Sequence, residues 1–181
     1  MALGLAWPAM AQERTPADQG KEPPPSPALT EFESKFLTTV NQTNLLEIAM
    51  GQLSQEKSSN NDVKEFGKTM VKDHQKANTD LTNLATRKNV TLPGKITDDQ
   101  KKMVEEMKKS GAEFDRKFAD HMVKGHEEAV ALFKRATTDS KDADIRAFAT
   151  TTLPVLEQHL KDAKALQEKL GKAPAGPKSP H

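Results

Sequence analysis

The chain is expected to fold as an all-α protein, a four-helix bundle, and three observations carry that expectation. Four long stretches place apolar residues at helical spacing, while Gly and Pro gather mostly at the two ends and in one mid-chain loop. Two of the stretches repeat each other. Phe66, Met70, Val71, Lys72, His74 and Ala77 are matched in order and spacing by Phe118, Met122, Val123, Lys124, His126 and Ala129. Phe, Met and His at i, i+4 and i+8 climb one slowly drifting stripe of an α-helix. Finally, the links after the first and third long helices are short, whereas the connection after the second is long enough to travel the length of a bundle.

Residues 1–11, MALGLAWPAMA, read as the remnant of a secretory signal. Leu3 to Met10 is a short apolar run, and Ala9–Met10–Ala11 presents small residues where a signal peptidase reads them. A basic segment before the run is missing, which points to a true start further upstream. Cleavage would make Gln12 the mature N-terminus and the periplasm or the outer membrane surface the destination. It would also remove Trp7, and the chain has no Tyr. The usual stacking residues for a flavin or for exposed bases would then be lacking. Residues 12–29 carry Pro16, Pro23, Pro24, Pro25 and Pro27 among polar residues, as a disordered linker does.

The bundle is expected over 30–171. Thr30-x-x-Glu33 is a capping box that opens the first helix, which should run to about Lys57 with Phe32, Phe36, Val40, Thr43, Glu47, Met50 and Leu53 inward. Ser58 to Asn61 is a break rich in capping residues. The second helix follows from about Asp62 to Arg87, with Val63, Phe66, Met70, Asp73/His74, Ala77, Leu81 and Leu84 on its stripe. Pro93 and Gly94 end that region, and Thr97-x-x-Gln100 caps a short polar helix reaching about Lys109 within the crossover. After Ser110–Gly111 the third long helix spans about 112–136, with Phe114, Phe118, Met122, Gly125/His126, Ala129 and Phe133 inward. The fourth spans about 142–171, with Ile145, Phe148, Thr152, Leu156, His159, Ala163 and Leu166 inward. Pro154 inside it costs one backbone hydrogen bond, to Thr150, and predicts a kink. Residues 172–181 read as a disordered tail that includes His181.

Composition narrows the functional classes. Hydrophobic residues make up 35% and charged residues 29%, which suits a water-exposed helical domain. The formal charge is +1 with both signs interspersed, so no basic field argues for nucleic acid. The absence of Cys excludes disulfides, thiolate metal sites, a Cys nucleophile and a lipoprotein-type anchor. No later run approaches the ~20 apolar residues of a membrane-spanning helix. There is no G-x-S-x-G and no phosphate loop, and His126–Glu127–Glu128 is not H-E-x-x-H because Val130 stands where the second His would be.

The polar residues on the buried stripes mark the candidate site. Glu47, His74, His126 and His159 each fall near the middle of their own helix. Four helices of similar length packed side by side bring their midpoints to one level, so these four side chains are expected to converge on the waist. Asp73 sits at the edge of the same stripe. Imidazole nitrogen and carboxylate oxygen suit Fe, Zn, Mn or Cu, and bundle cores are a common place for inward Glu and His to hold metals. The expected metal set is Glu47, Asp73, His74, His126 and His159. Met70 and Met122, one turn before two of the His, could offer thioether sulfur to Cu(I), although a Met–Phe stripe more often packs a core. The bland alternative is that His and Glu hydrogen-bond each other and fix the helix register. His121, about 140° around the helix from His126, is expected at the surface. Asp115 is too far along the axis to ligate with His126 and is expected at a cap or bundle end.

Several of these residues, in order, resemble the domain of unknown function 4142 family, exported bacterial proteins placed among ferritin-like folds. The resemblance covers about 31–170. It rests on Glu47–Ile48 with Gly51 and Leu53, on Met70–Val71–x–Asp73–His74, and on Leu92–Pro93. It continues through Phe114–Asp115, Met122–Val123–x–x–His126 and Leu153–Pro154–x–Leu156–x–x–His159–Leu160. It implies export and a ferritin-like order of helix pair, crossover and helix pair, and it supplies no reaction. Di-iron members of the ferritin-like class carry Glu-x-x-His on two helices, whereas Val71, Val123 and Leu156 stand three residues before these His. The lack of Tyr, and of Trp after cleavage, also weighs against strongly oxidising di-iron chemistry. Two functions follow as expectations. One is a periplasmic metal-binding bundle. The other is a non-enzymatic envelope or stress protein whose His/Glu cluster is structural and which acts through a protein partner.

Overall fold

The computed structural model describes residues 28–172. The segments read as a signal remnant, a linker up to 27 and a tail beyond 172 lie outside the described residues. The described chain is all-α: α1 (Glu31–Lys57), α2 (Asn61–Arg87), α3 (Asp98–Lys108), a 3-10 turn (Gly111–Glu113), α4 (Phe114–Asp139) and α5 (Ala143–Lys172). Both expected capping boxes are formed. Thr30 Oγ1 accepts from the Glu33 backbone N–H while Glu33 Oε2 accepts from Thr30 N at 2.8 Å. Thr97 and Gln100 do the same at the head of α3. Asn60 caps α2 by accepting from the backbone of Asp62 and Val63. Ser110–Gly111 does not open α4 directly: Gly111 has φ +56° and starts the single 3-10 turn before Phe114.

Two antiparallel hairpins, α1/α2 and α4/α5, face each other through α2 against α5 and α1 against α4. The apolar residues form two clusters stacked along the bundle. One joins Phe36, Leu37 and Val40 of α1 to Leu81 and Leu84 of α2, Phe133 and Ala136 of α4, and Ile145 and Ala149 of α5. The other joins Met50 and Leu53 to Val63 and Met70, Met107 of α3, Phe114, Phe118 and Met122, and Ala163 and Leu166. Each cluster thus takes the start of some helices and the end of others, so neighbouring helices run antiparallel. Met70 and Met122 are fully buried members of the second cluster, as core packing requires.

The crossover travels from the first cluster, where Val90 and Leu92 pack, to the second, where Ile96 and Val104 pack. Its helix α3 lies against α1 and α4, with Gln100 Nε2 donating to the Gln42 carbonyl at 3.3 Å. In the α1/α2 hairpin the backbones approach closely at Gly51 and Gly67. A Cβ on Gly51 would stand 2.6 Å from the Gly67 oxygen, which only glycine permits. Pro154 lies inside a continuous α5 with its ring exposed, so the missing hydrogen bond falls on the solvent side.

Candidate metal centre

Between the two apolar clusters lies a polar layer. His74 from α2, His126 from α4 and His159 from α5 are all buried there, with ring centroids 5.4 to 5.6 Å apart in a near-equilateral triangle. One nitrogen from each lies within 4.8 Å of the others. One nitrogen of each ring is tied down. His126 Nδ1 is 2.8 Å from the Met122 carbonyl, one turn back, which can only accept, so that nitrogen carries the proton. His159 Nε2 is 3.0 Å from Asp73 Oδ2, and His74 Nδ1 is 2.9 Å from Asn44 Oδ1. The remaining atoms, His74 Nε2, His126 Nε2 and His159 Nδ1, have no hydrogen-bond partner among the described residues. With their other nitrogens donating, they are lone-pair atoms.

Three buried lone pairs in one cluster of rings cannot satisfy one another. They need a cation or a donor, and an imidazole whose far N–H is held by a carboxylate, amide or carbonyl oxygen is the usual form of a metal-ligating His. The residues therefore fit a transition metal. Burial, then the neighbouring His126 and His159, pushes the His74 pKa well below its ordinary range. Burial also lowers His126 to about 4 despite the Met122 carbonyl, with His159 and His121 adding to the fall. Neutral imidazole, the ligating form, is thus favoured at neutral pH.

Of the expected set, the three His come together directly. Asp73 reaches them from outside through His159 Nε2. Glu47 is buried at the same level on α1, with Oε2 unpartnered, and burial pushes its carboxyl up to about 8. His121 corrects the surface expectation. Its side chain is only 18% exposed, and Nε2 lies 3.8 Å from Glu47 Oε1, too far for a hydrogen bond. The reason is that α4 is covered by α1, α3 and α5 at once, so its buried arc is wider than one stripe. Asp115 lies half-buried in the first turn of α4, at a bundle end. Asn44 was missed, although it stands one turn before Glu47 on the same face. A cavity of about 290 Å³ opens on this layer between α1 and α4 beneath α3, lined by Asn44, Glu47, His74, His121 and His126 together with mainly apolar residues.

Fold and polar layer together define a ferritin-like four-helix bundle with three buried His at its waist, and no described helix is long and apolar enough to cross a membrane. The chain belongs to the family described as Domain of unknown function (DUF4142), whose pattern matches residues 18–166. Two solved structures share the fold. A DUF305 fragment from Deinococcus radiodurans superposes with a TM-score of 0.68 at 14% identity, over 79% of this chain and 99% of that one. A candidate spore coat protein from Bacillus halodurans C-125 gives 0.63 at 14% identity, over 85% and 97%. No protein of curated function matches the sequence.

Proposed function

We propose that this protein is an exported bundle that binds one divalent transition metal ion through His74, His126 and His159. The observation that carries this is the cluster of three buried His, each offering a nitrogen within 4.8 Å of the others, with one nitrogen of each ring held by an oxygen and the other unpartnered among the described residues. Asp73 and Asn44 orient two of the ligands, and Glu47 stands near the ion rather than within the three-nitrogen group. Zn, Cu and Fe all accept an all-imidazole set. Three protein ligands leave a coordination position open, the arrangement of sites that handle an exogenous molecule rather than purely structural ones. Export is supported by Ala9–Met10–Ala11, and N-terminal sequencing of periplasmic protein beginning at Gln12 would establish it.

Metal analysis of protein purified from its native compartment should find about one ion per chain. Adding a divalent ion to the stripped protein should raise Tm, because the ligand binds only the folded state, and the gain should shrink below the imidazole pKa. His126→Ala should remove most of that gain. Equal destabilisation with and without metal, together with metal-free native protein, would leave only the structural reading, in which Asp73–His159 and Asn44–His74 tie the helices in register.

A further inference from the structure

The cavity on the α1/α4 side has an uneven lining. Its inner end holds a cluster of buried polar atoms without partners among the described residues: Asn44 Nδ2, Glu47 Oε2, His121 Nε2, and the free nitrogens of His74 and His126. Its other walls are mainly apolar, including Val40, Ala129 and Leu132, with Thr39, Thr43, Gln100, Lys124 and Glu128 among them. A polar end and a mainly apolar body in one partly open space describe an amphipathic guest. At about 290 Å³ the space holds roughly the bulk of ten waters, the small end of ligand-binding cavities.

We propose that this cavity is the ligand pocket of the metal centre, and that it takes a small monocarboxylic acid with a short apolar body. The proposal rests on the metal reading of the three His. The head group needs oxygen, because the inner end offers a Lewis acid held by His74 and His126 together with the Asn44 amide donor. Asn44 Oδ1 is already committed to His74, so its Nδ2 is left to face the guest. Glu47 and His121, only 3.8 Å apart and both unpartnered on the cavity side, can share one proton with the second oxygen of the acid. Gly125 keeps that end clear, since a Cβ there would stand 3.2 Å from Glu47 Oε1. Met103 and Gln100 of α3 line the cavity as well, so the crossover helix roofs the pocket.

The test uses the full chain loaded with Co(II), whose visible bands report the coordination sphere. Acetate, propionate, butyrate and benzoate are titrated in a non-coordinating buffer. Saturable changes in the bands are expected, with affinity rising about fourfold per methylene until the cavity is full. Ala129→Leu should leave the Co(II) bands in place and abolish the chain-length dependence. Thr43→Leu, which obstructs from α1, should do the same and serves if the first variant fails to fold. Glu47→Gln should weaken every acid. Intact bands that no acid alters would overturn the pocket and leave the metal site standing. A response indifferent to chain length and to both obstructions would also overturn it, because the open position would then face solvent. Failure of Co(II) to bind at all would overturn this inference and the metal site together.

Discussion

Two buried polar clusters in this bundle invite comparison, one at an end and one at the waist. At the end, Glu33 is 1% exposed, yet both of its oxygens are occupied: Oε2 by the Thr30 N–H and hydroxyl, Oε1 by the backbone N–H groups of Lys141 and Asp142 at 2.6 and 2.8 Å. Beside it Lys88 Nζ sits 2.6 Å from Asp142 Oδ2 and 2.7 Å from Asp144 Oδ2. Burial alone would raise the Glu33 pKa, but the donors outweigh it and hold the carboxyl below its ordinary value. At the waist the balance is reversed. Asn44, Glu47, His74, His121, His126 and His159 each keep a buried polar atom without a partner among the described residues. The end leaves one such atom among the described residues, Ser140 Oγ, and the waist leaves six beside a cavity, which is poised for something the chain does not supply.

The largest way to break the comparison is Glu33→Ala. It strips three backbone donors and the α1 capping box of their charged acceptor, and should cost about 4 kcal/mol. Urea unfolding should show the same loss with and without metal, since the site is remote from the waist. A loss that metal repairs would mean that the two clusters are coupled.

Next in size is the pH dependence of the metal-free waist. His126 stays neutral in the fold down to about 4, whereas the unfolded chain takes up its proton near 6.5. Stability should therefore be lost as pH falls from 6.5 toward 4, by on the order of 3 kcal/mol from this residue. His74 and His121 are also lowered and act in the same direction. Glu47 acts in the opposite sense. Folded, it keeps its proton to about 8, while unfolded it ionises near 4.5, so it subtracts stability as pH rises between those values. The urea midpoint should peak near pH 6.5, and Glu47→Gln should remove the alkaline decline while leaving the acid one. An alkaline decline unchanged by that substitution would show that Glu47 is solvated or ionised in the fold.

The end and the waist were legible in the sequence to different degrees. Thr30–Glu33 and Thr97–Gln100 announced themselves because capping is local, four residues deciding the geometry. The His triangle was legible because helix midpoints in a bundle share a level, so position within each helix stood in for height. Glu33 as an anchor for Lys141 and Asp142 was not legible, because that contact depends on how the second hairpin docks. His121 was misplaced because one helix wheel cannot show that α3 covers a second face of α4. Asn44 lay in view on the Glu47 stripe, but an amide carries no metal signature until the His74 ring is seen beside it.

Asp73→Asn sharpens the contrast by a smaller step. The side chain is partly exposed, so the metal-free fold should change by less than about 1 kcal/mol. Metal affinity should nevertheless fall about 10-fold to 100-fold, because the oxygen that fixes the His159 tautomer becomes half of an ambiguous amide. Isothermal titration with Zn(II) reads this directly. Unchanged affinity would mean that His159 is oriented by packing alone.

The smallest expected effect comes from Gly125→Ala, read against Gly67→Ala. At Gly67 the new Cβ would meet Ser54 Oγ at 1.7 Å and the Gly51 carbonyl at 2.9 Å, and that carbonyl is backbone. The hairpin must separate, so a loss of about 2 kcal/mol or more is expected. At Gly125 the only close atom among the described residues is Glu47 Oε1 at 3.2 Å, the end of a side chain whose other oxygen has no partner among them to lose. It can yield by a few tenths of an ångström into the cavity. Replacing a mid-helix glycine by alanine meanwhile gains about 0.5–1 kcal/mol. The metal-free variant should therefore be unchanged or slightly more stable, which thermal unfolding will show. A loss comparable to that of Gly67→Ala would mean that Glu47 is rigidly held, and that the waist is as satisfied as the end of the bundle.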